Sequence, residues 1–301
     1  MFLRGIVFLF CLILSITTVN SAEIDISTGD GHAKAMRKVQ CSLKDGENTT
    51  YWWHGKAFGR RMGMSDKLLF LVEGMNIRTC NTVYDEKGNY GYRLISREIL
   101  LYKDKKNGEI LRTWTNPYTN EEVEVMHVAN DPVNQRPSYG VDRNGDVKEF
   151  PGNIMDGRWW FTATIPLYYK NILGGDYQKY VGGTYRATEM FNFFGDIKSL
   201  LDENKNTADV QVGWVRHSDW LPWMQMSGRD GIIYMHSAGK KLNSFDDLPD
   251  LFKKEIAKNY PEYNKPPPLN DKRPNETSWT VFKKEMDKRG GPEPIKREFP
   301  H

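Results

Sequence analysis

"LVEGMNIRTCNTVYDEKGNYGYRLISREILLYKD", residues 71–104, decides the reading of the fold. Two runs rich in aliphatic, β-branched and aromatic side chains flank "DEKGNYG", residues 85–91. Asp, Gly and Asn supply the left-handed and side-chain-to-backbone geometries of a tight reversal. A connection this short cannot carry a parallel crossover, so the two strands must be antiparallel.

The same grammar extends in both directions. Strands are expected at residues 49–61, 109–117, 121–129, 158–169, 184–194, 208–218 and 231–242, with "KDKKNGE", "NPYTNEE" and "DRNGDV" as turns between some of them. Many consecutive strands on short turns predict a mainly β fold with a meandering antiparallel sheet. Closure into a calycin-like β-barrel removes the exposed edges most simply and makes the first and last strands neighbours. Beyond residue 243 the pattern changes. "SFDDLPDLFKKEIAKNY" places Leu248, Leu251, Phe252 and Ile256 at helical spacing, with Asp246 or Asp247 as cap. "KPPPLNDKRPNE" reads as an extended linker. "SWTVFKKEMDKR" predicts a short amphipathic helix capped by Ser278, with Trp279, Phe282 and Met286 on one side. The expected division is therefore a leader at 1–22, one β-barrel domain with a C-terminal helix at 23–264, and a Pro-rich, charged tail at 265–301.

"MFLRGIVFLFCLILSITTVNSA" has one early Arg, an unbroken apolar run and small residues at Val19 and Ser21. This is the pattern of a cleaved secretory signal, with cleavage near Ala22 and a secreted or periplasmic mature chain. No later segment is apolar enough for a membrane span. The formal net charge is +3 and its Lys and Arg are dispersed among Asp and Glu, which argues against nucleic acid as a partner. Removal of the leader takes Cys11 with it. Cys41 and Cys80 then either pair, as an oxidising compartment allows, or remain as two thiols. Asn48 and Asn275 open N-x-Thr sequons.

Several stretches resemble the motifs of the DUF1838 family: "LVEGMNIRTC", "GYRLISREILLYKD", "TWTNPYTNEEVEVMHVANDPVN", "WLPWMQMSGRDGIIYMHSAGKKL" and "FDDLPDLFKKEIAKNYPEY". The resemblance runs from about Val39 to Pro268. It implies an exported domain of unknown function and brings no catalytic residues with it.

Candidate site residues come from the side chains themselves. In "EEVEVMHVANDPVN" alternation puts His127 on one face with Val123 and Val125, hence inward. Asn130, Asp131 and Asn134 follow, either as turn formers before Pro132 or as the rim of an opening. "GWVRHSDWLPWMQM" places Trp214 and Arg216 on one face, then concentrates Trp220, Trp223, Met224 and Met226. Trp supplies rigid area and Met adapts its shape, so this stretch is either a pocket wall or a plug packed against the C-terminal helix. Tyr234 and His236 share a face on the last strand. Early strands offer Glu73 or Asn76, and Arg93 with Arg97. The "RATEMFNFF" strand offers Arg186 with Thr188, or Glu189, according to which face is inside.

There is no nucleophile elbow, phosphate-binding loop, dinucleotide fingerprint or HExxH, and no cofactor is expected. The expected faces of His127, His217 and His236 do not agree, so no metal is expected either. The reading is an exported barrel that binds a small apolar or aromatic molecule. Turnover would be cofactor-free acid–base chemistry by His127, His236, Glu73 and Tyr234, with Trp214, Arg216, Trp220, Trp223, Met224, Asn130, Asp131 and Asn134 holding the ligand. The alternatives are a glycan-binding module with a shallow Trp-lined groove, and a structural protein with a filled interior.

Overall fold

Strands β1 (Thr49–Arg60), β2 (Lys67–Tyr84) and β3 (Tyr90–Lys103) form the antiparallel meander that the sequence predicts. In the computed structural model residues 23–291 are described, apart from 172, 174, 178, 179, 181 and 227. The expected leader and cleavage site lie outside the described residues, as does the end of the chain. Tyr84 faces Tyr90 across the β2–β3 turn. The Asp85 carboxylate accepts the backbone N–H groups of Lys87 and Asn89 at 2.9 and 2.8 Å, and Gly88 takes φ +82°. A left-handed residue is needed there, and only Gly adopts it without steric cost.

The remaining strands are β4 (Thr113–Thr115), β5 (Glu122–Glu124), β6 (Val128–Asn130), β7 (Ser138–Tyr139), β8 (Asn153–Met155), β9 (Arg158–Lys170), β10 (Thr184–Asp196), β11 (Val210–Ser218) and β12 (Ile232–Leu242). Ten of these strands form one sheet in the order β6-β3-β2-β1-β12-β11-β10-β9-β8, with β7 also on β3; β4 and β5 make a separate hairpin. The fold is mainly β and antiparallel. The last long strand returns to the first, with Trp52 opposite Lys240 and Phe58 opposite Tyr234. No pairing among the described residues joins β6 to β8.

Beside this edge, residues 121–129 are expected as one continuous strand. The chain instead breaks between β5 and β6. Beyond the Leu100–Val128 pair, the backbone N–H of Tyr102 is bonded at 3.1 Å to His127 Nδ1. A side chain has taken the donor that a longer ladder would have used.

Among the described residues, four α-helices flank the sheet. α1 (Gly29–Gln40) lies where the sequence reading assigns no element. Thr28 caps it, its Oγ1 accepting the Gly31 N–H at 3.1 Å. Its apolar stripe is only Ala33, Ala35, Met36 and Val39, and it buries Arg37 and Lys38 as well, which hides the helical period. Cys41, just after α1, is disulfide-bonded to Cys80 on β2, with Cα atoms 5.9 Å apart. α2 (Ile197–Leu201) is short. α3 (Asp250–Asn259) sets Phe252 and Ile256, with Leu248, against Met75, Ile77, Ile99 and Leu101 on the outer face of β2 and β3. Leu251 points to solvent instead, and Asp247 closes a capping box with Ser244 in the preceding turn.

α4 (Ser278–Lys288) is the predicted amphipathic helix, capped by Thr277 rather than Ser278. It packs against the core of the sheet. Trp279, Phe282 and Met286 are buried in the same cluster as Phe70, Trp114, Trp223 and Met224. The intervening segment is anchored too, by Arg97 Nη1 on the Glu262 and Lys265 carbonyls and by Arg273 Nη2 on Asp131 Oδ1 at 2.7 Å.

Candidate ligand cavity

Alternation and register place one set of side chains on the inner face of the sheet. These are Tyr51 and Trp53 on β1, Asn76 and Arg78 on β2, Ser96, Glu98, Leu100 and Tyr102 on β3, Glu189, Phe191 and Phe193 on β10, Val212, Trp214 and Arg216 on β11, and Met235 on β12. They surround a cavity of about 180 Å³. That is close to the ~150 Å³ of apolar cavities known to take up a benzene ring. Trp53 and Trp214 meet in the wall with ring centroids 6.0 Å apart. The Trp53 indole lies over Gly74, where a Cβ would sit 2.4 Å from the ring, so no other residue leaves it that place. Val128 on β6 and Ile165 on β9 line the same cavity from the two ends of the sheet. Gln135 and Ile165 also reach solvent, which puts the mouth at the seam between the unpaired edges.

The cavity is apolar in its body and charged at its polar end. Arg216 donates to the Glu189 carboxylate, and its Nη2 donates to Tyr185 Oη at 2.9 Å. Arg78 lies over the Tyr51 ring at 4.7 Å. Its Nε and Nη1 donate to the side-chain carbonyls of Asn76 and Gln40 at 2.7 and 2.8 Å. Glu98 accepts the Asn130 amide at 2.6 Å. Burial, and then the Glu189 carboxylate on β10, raise the Glu98 pKa above its ordinary value. Those two strands are far apart in sheet order, so their repulsion reflects how tightly the sheet curls.

Of the expected ligand residues, Trp214 and Arg216 line the cavity, and Asn130 reaches it through Glu98. Trp220, Trp223 and Met224 are buried as a plug at one end, the second of the two sequence alternatives for that stretch. Trp223 packs on Phe70, Tyr102 and Trp114, while the Met224 carbonyl accepts the Asn116 amide at 3.0 Å. Asp131 is paired with Arg97 and Arg273. Asn134 Oδ1 accepts the Ser96 N–H, and its backbone is bonded to both ends of the Asn275 amide. These two are turn and anchor residues rather than a rim.

The four expected catalytic residues do not meet. His236 is exposed on the outer face, opposite Lys56, because Met235 takes the inward position. Tyr234 is on that outer face too, stacked between Phe58 and His217 and donating to Asp66 Oδ2 at 2.8 Å. Glu73 faces away from the cavity, bonded to Trp52 Nε1 at 2.9 Å and Lys103 Nζ at 2.7 Å. His127 is buried behind Tyr102, stacked on its ring, and is not in the lining. Arg93, Arg97 and Arg186 also take the other face. Among the described residues, no group of three His, Cys, Asp or Glu is placed to hold a metal ion.

The residues missed were Arg78 and Glu98, with Trp53 and Tyr51. The available signal was that Asn76 and Arg78 share a face, as do Ser96 and Glu98, across a hairpin whose register its turn sets. What was absent was the knowledge of which face is concave.

Burial, with the Arg112 charge next, lowers the His127 pKa to about 4 from an ordinary 6.5. The unfolded chain takes up that proton near pH 6.5 and the folded chain resists until about pH 4. Stability from the neutral imidazole is therefore complete above pH 6.5 and lost as pH falls through 4, about 3 kcal/mol in all. Urea titrations from pH 7 to 4 should show this loss in the native sequence and a flatter profile in His127→Gln. Equal slopes for the two would mean that His127 titrates as a solvated group.

The fold and site together define a mainly β protein whose antiparallel sheet curls around a cavity lined by aromatic rings and by Arg and Glu side chains. The chain belongs to the DUF1838 family, described as "Protein of unknown function (DUF1838)", whose model matches residues 46–286 and so takes in α4. No curated protein matches it. Among solved structures it is similar to MucB in complex with MucA(peri), at 7% identity and a TM-score of 0.13, covering 70% of this chain and 92% of that one. The MucA/MucB complex of Pseudomonas aeruginosa gives 8% identity and a TM-score of 0.14 with the same coverage. Neither carries an argument about fold or function.

Proposed function

We propose that this protein is exported and holds a small molecule with an apolar or aromatic body inside its curled sheet. The observation that carries the reading is the cavity of about 180 Å³ walled by Trp53, Phe191, Phe193 and Trp214. Enclosure favours this over a glycan-binding groove, because the Trp-rich 220–226 stretch is buried as a plug and offers no shallow platform. We take the sheet as a calycin-like barrel parted along one seam, since β6 and β9 residues share the cavity. Export rests on the leader-like N-terminus and agrees with the Cys41–Cys80 bridge, which persists in an oxidising compartment. No helix among the described residues is long and apolar enough to cross a membrane.

A second reading, acid–base turnover, is favoured by one observation. Glu98 lies in the lining with a raised pKa and a fixed hydrogen bond to Asn130, which suits a proton donor or acceptor. It replaces the set His127, His236, Glu73 and Tyr234.

The test is native mass spectrometry of protein purified from its own source. A retained compound, released on denaturation, is expected. Val128→Trp, which projects an indole into the cavity, should abolish the retention while melting within a few degrees of the native sequence. Protein that carries nothing in any preparation, or a compound retained equally by Val128→Trp, would count against the cavity as the site.

A further inference from the structure

Arg78 differs from the other arginine in the cavity lining, Arg216. Arg216 has a carboxylate partner, Glu189, with a phenol on its other arm. Arg78 has no carboxylate within ion-pair distance among the described residues. Its Nε and Nη1 are held by two neutral side-chain carbonyls and its face by the Tyr51 ring, while Nη2 has no hydrogen-bond partner among the described residues. Burying a guanidinium without a counter-charge is costly, and such a group persists where a partner completes it or a function retains it. The fork is positioned rather than loose: Asn76 on its own strand and Gln40 at the end of α1 fix two of its donors. Arg78 lines the cavity together with Trp53, Leu94 and Glu98.

The opposing charge in the same end of the cavity is Glu98. In the β2–β3 register Arg78 faces Ser96 and Asn76 faces Glu98, so Arg78 and Glu98 are diagonal neighbours on one face. Diagonal neighbours lie roughly 7–8 Å apart, enough for one small acidic group to lodge between them. No ion pair joins Arg78 to Glu98, and Glu98 Oε1 accepts the Asn130 amide.

We propose that the molecule held in the cavity is an organic acid: its carboxylate docks on the free edge of Arg78, beside Glu98, and its apolar or aromatic body lies against Trp53 and Trp214. The assignment rests on the cavity being the ligand site, and adds the charge and orientation of the ligand. A carboxylate matches the guanidinium edge with a charge-assisted hydrogen bond, and desolvation in the cavity strengthens it. Glu98 in its protonated form donates to the same carboxylate and repels it when ionised. Arg216 is already neutralised by Glu189, so the selectivity for an anion belongs to Arg78 alone.

The experiment is calorimetric titration of the full mature chain with benzoate and with benzamide, two probes of the same shape that differ in charge. The native sequence should bind benzoate at least tenfold more tightly than benzamide. Arg78→Met, which keeps the length of the stem and removes the charge, should bring the two affinities within about twofold of each other. Arg78→Lys, which restores charge without the fork, should recover part of the preference and guards against a folding defect in the Met variant. Benzamide bound as tightly as benzoate, or a preference that survives in Arg78→Met, overturns the assignment to an acid while leaving the cavity as a site. If neither probe binds and neither alters tryptophan fluorescence, the cavity itself is not the site, and both readings fall together.

Discussion

Trp279→Ala is expected to destabilise the protein by about 3–5 kcal/mol, the range for truncating a large aromatic side chain in a packed core. Trp279 is 1% exposed although it stands after a Pro-rich segment that reads as a linker. Its ring meets Tyr185 edge-on with centroids 4.6 Å apart, and Tyr185 in turn accepts from Arg216 at the cavity wall. Ser278 itself lines the cavity. The helix thus closes one end of the sheet, together with the 220–226 plug. Urea unfolding of the variant should shift to a lower midpoint as a single transition, and the cavity should become accessible to quenchers of tryptophan fluorescence. A loss below about 1 kcal/mol would mean that α4 docks loosely on a domain complete without it.

Removing the Cys41–Cys80 bridge should cost nearly as much. The two cysteines are 39 residues apart and both fully buried, one after α1 and one within β2. On the chain-entropy estimate, a closed loop of this length restricts the unfolded state by about 4 kcal/mol. The bridge also holds α1 over the end of the sheet, where Arg37 bonds to the Ser42 carbonyl and to Asp45. Free-thiol titration of the denatured, unreduced mature chain should find no thiol. The Cys41→Ala/Cys80→Ala variant should unfold at correspondingly lower denaturant, with α1 released first in hydrogen exchange. Two titratable thiols, or a variant as stable as the native protein, would refute the stabilising role.

The two end closures also meet the charged end of the cavity. Gln40, the last residue of α1, holds Arg78, and Tyr185, under α4, holds Arg216. Each end closure therefore positions one cavity arginine. Loss of either closure should loosen ligand selectivity as well as lower the melting point.

What the sequence determined by itself is local. Tight turns such as Asp85–Asn89 set the antiparallel pairing, and apolar spacing at Phe252, Ile256, Phe282 and Met286 set the helices, because turn geometry and amphipathic period depend on neighbours a few residues away. The pairing of the first and last long strands followed from a meander that must cover its edges. Trp214 and Arg216 were legible as candidates because they share a face in a stretch dense with aromatic residues. Only the tertiary structure decided which face of each strand is concave. Alternation sorts Glu73 from Asn76 and Met235 from His236, but treats the two faces alike. The choice came from curvature and from what packs outside: α3 covers Met75 and Ile99, so Asn76, Arg78 and Glu98 turn inward and Glu73 does not. The break at His127 was likewise decided at a distance, where the Tyr102 N–H bonds an imidazole 25 residues away in the chain.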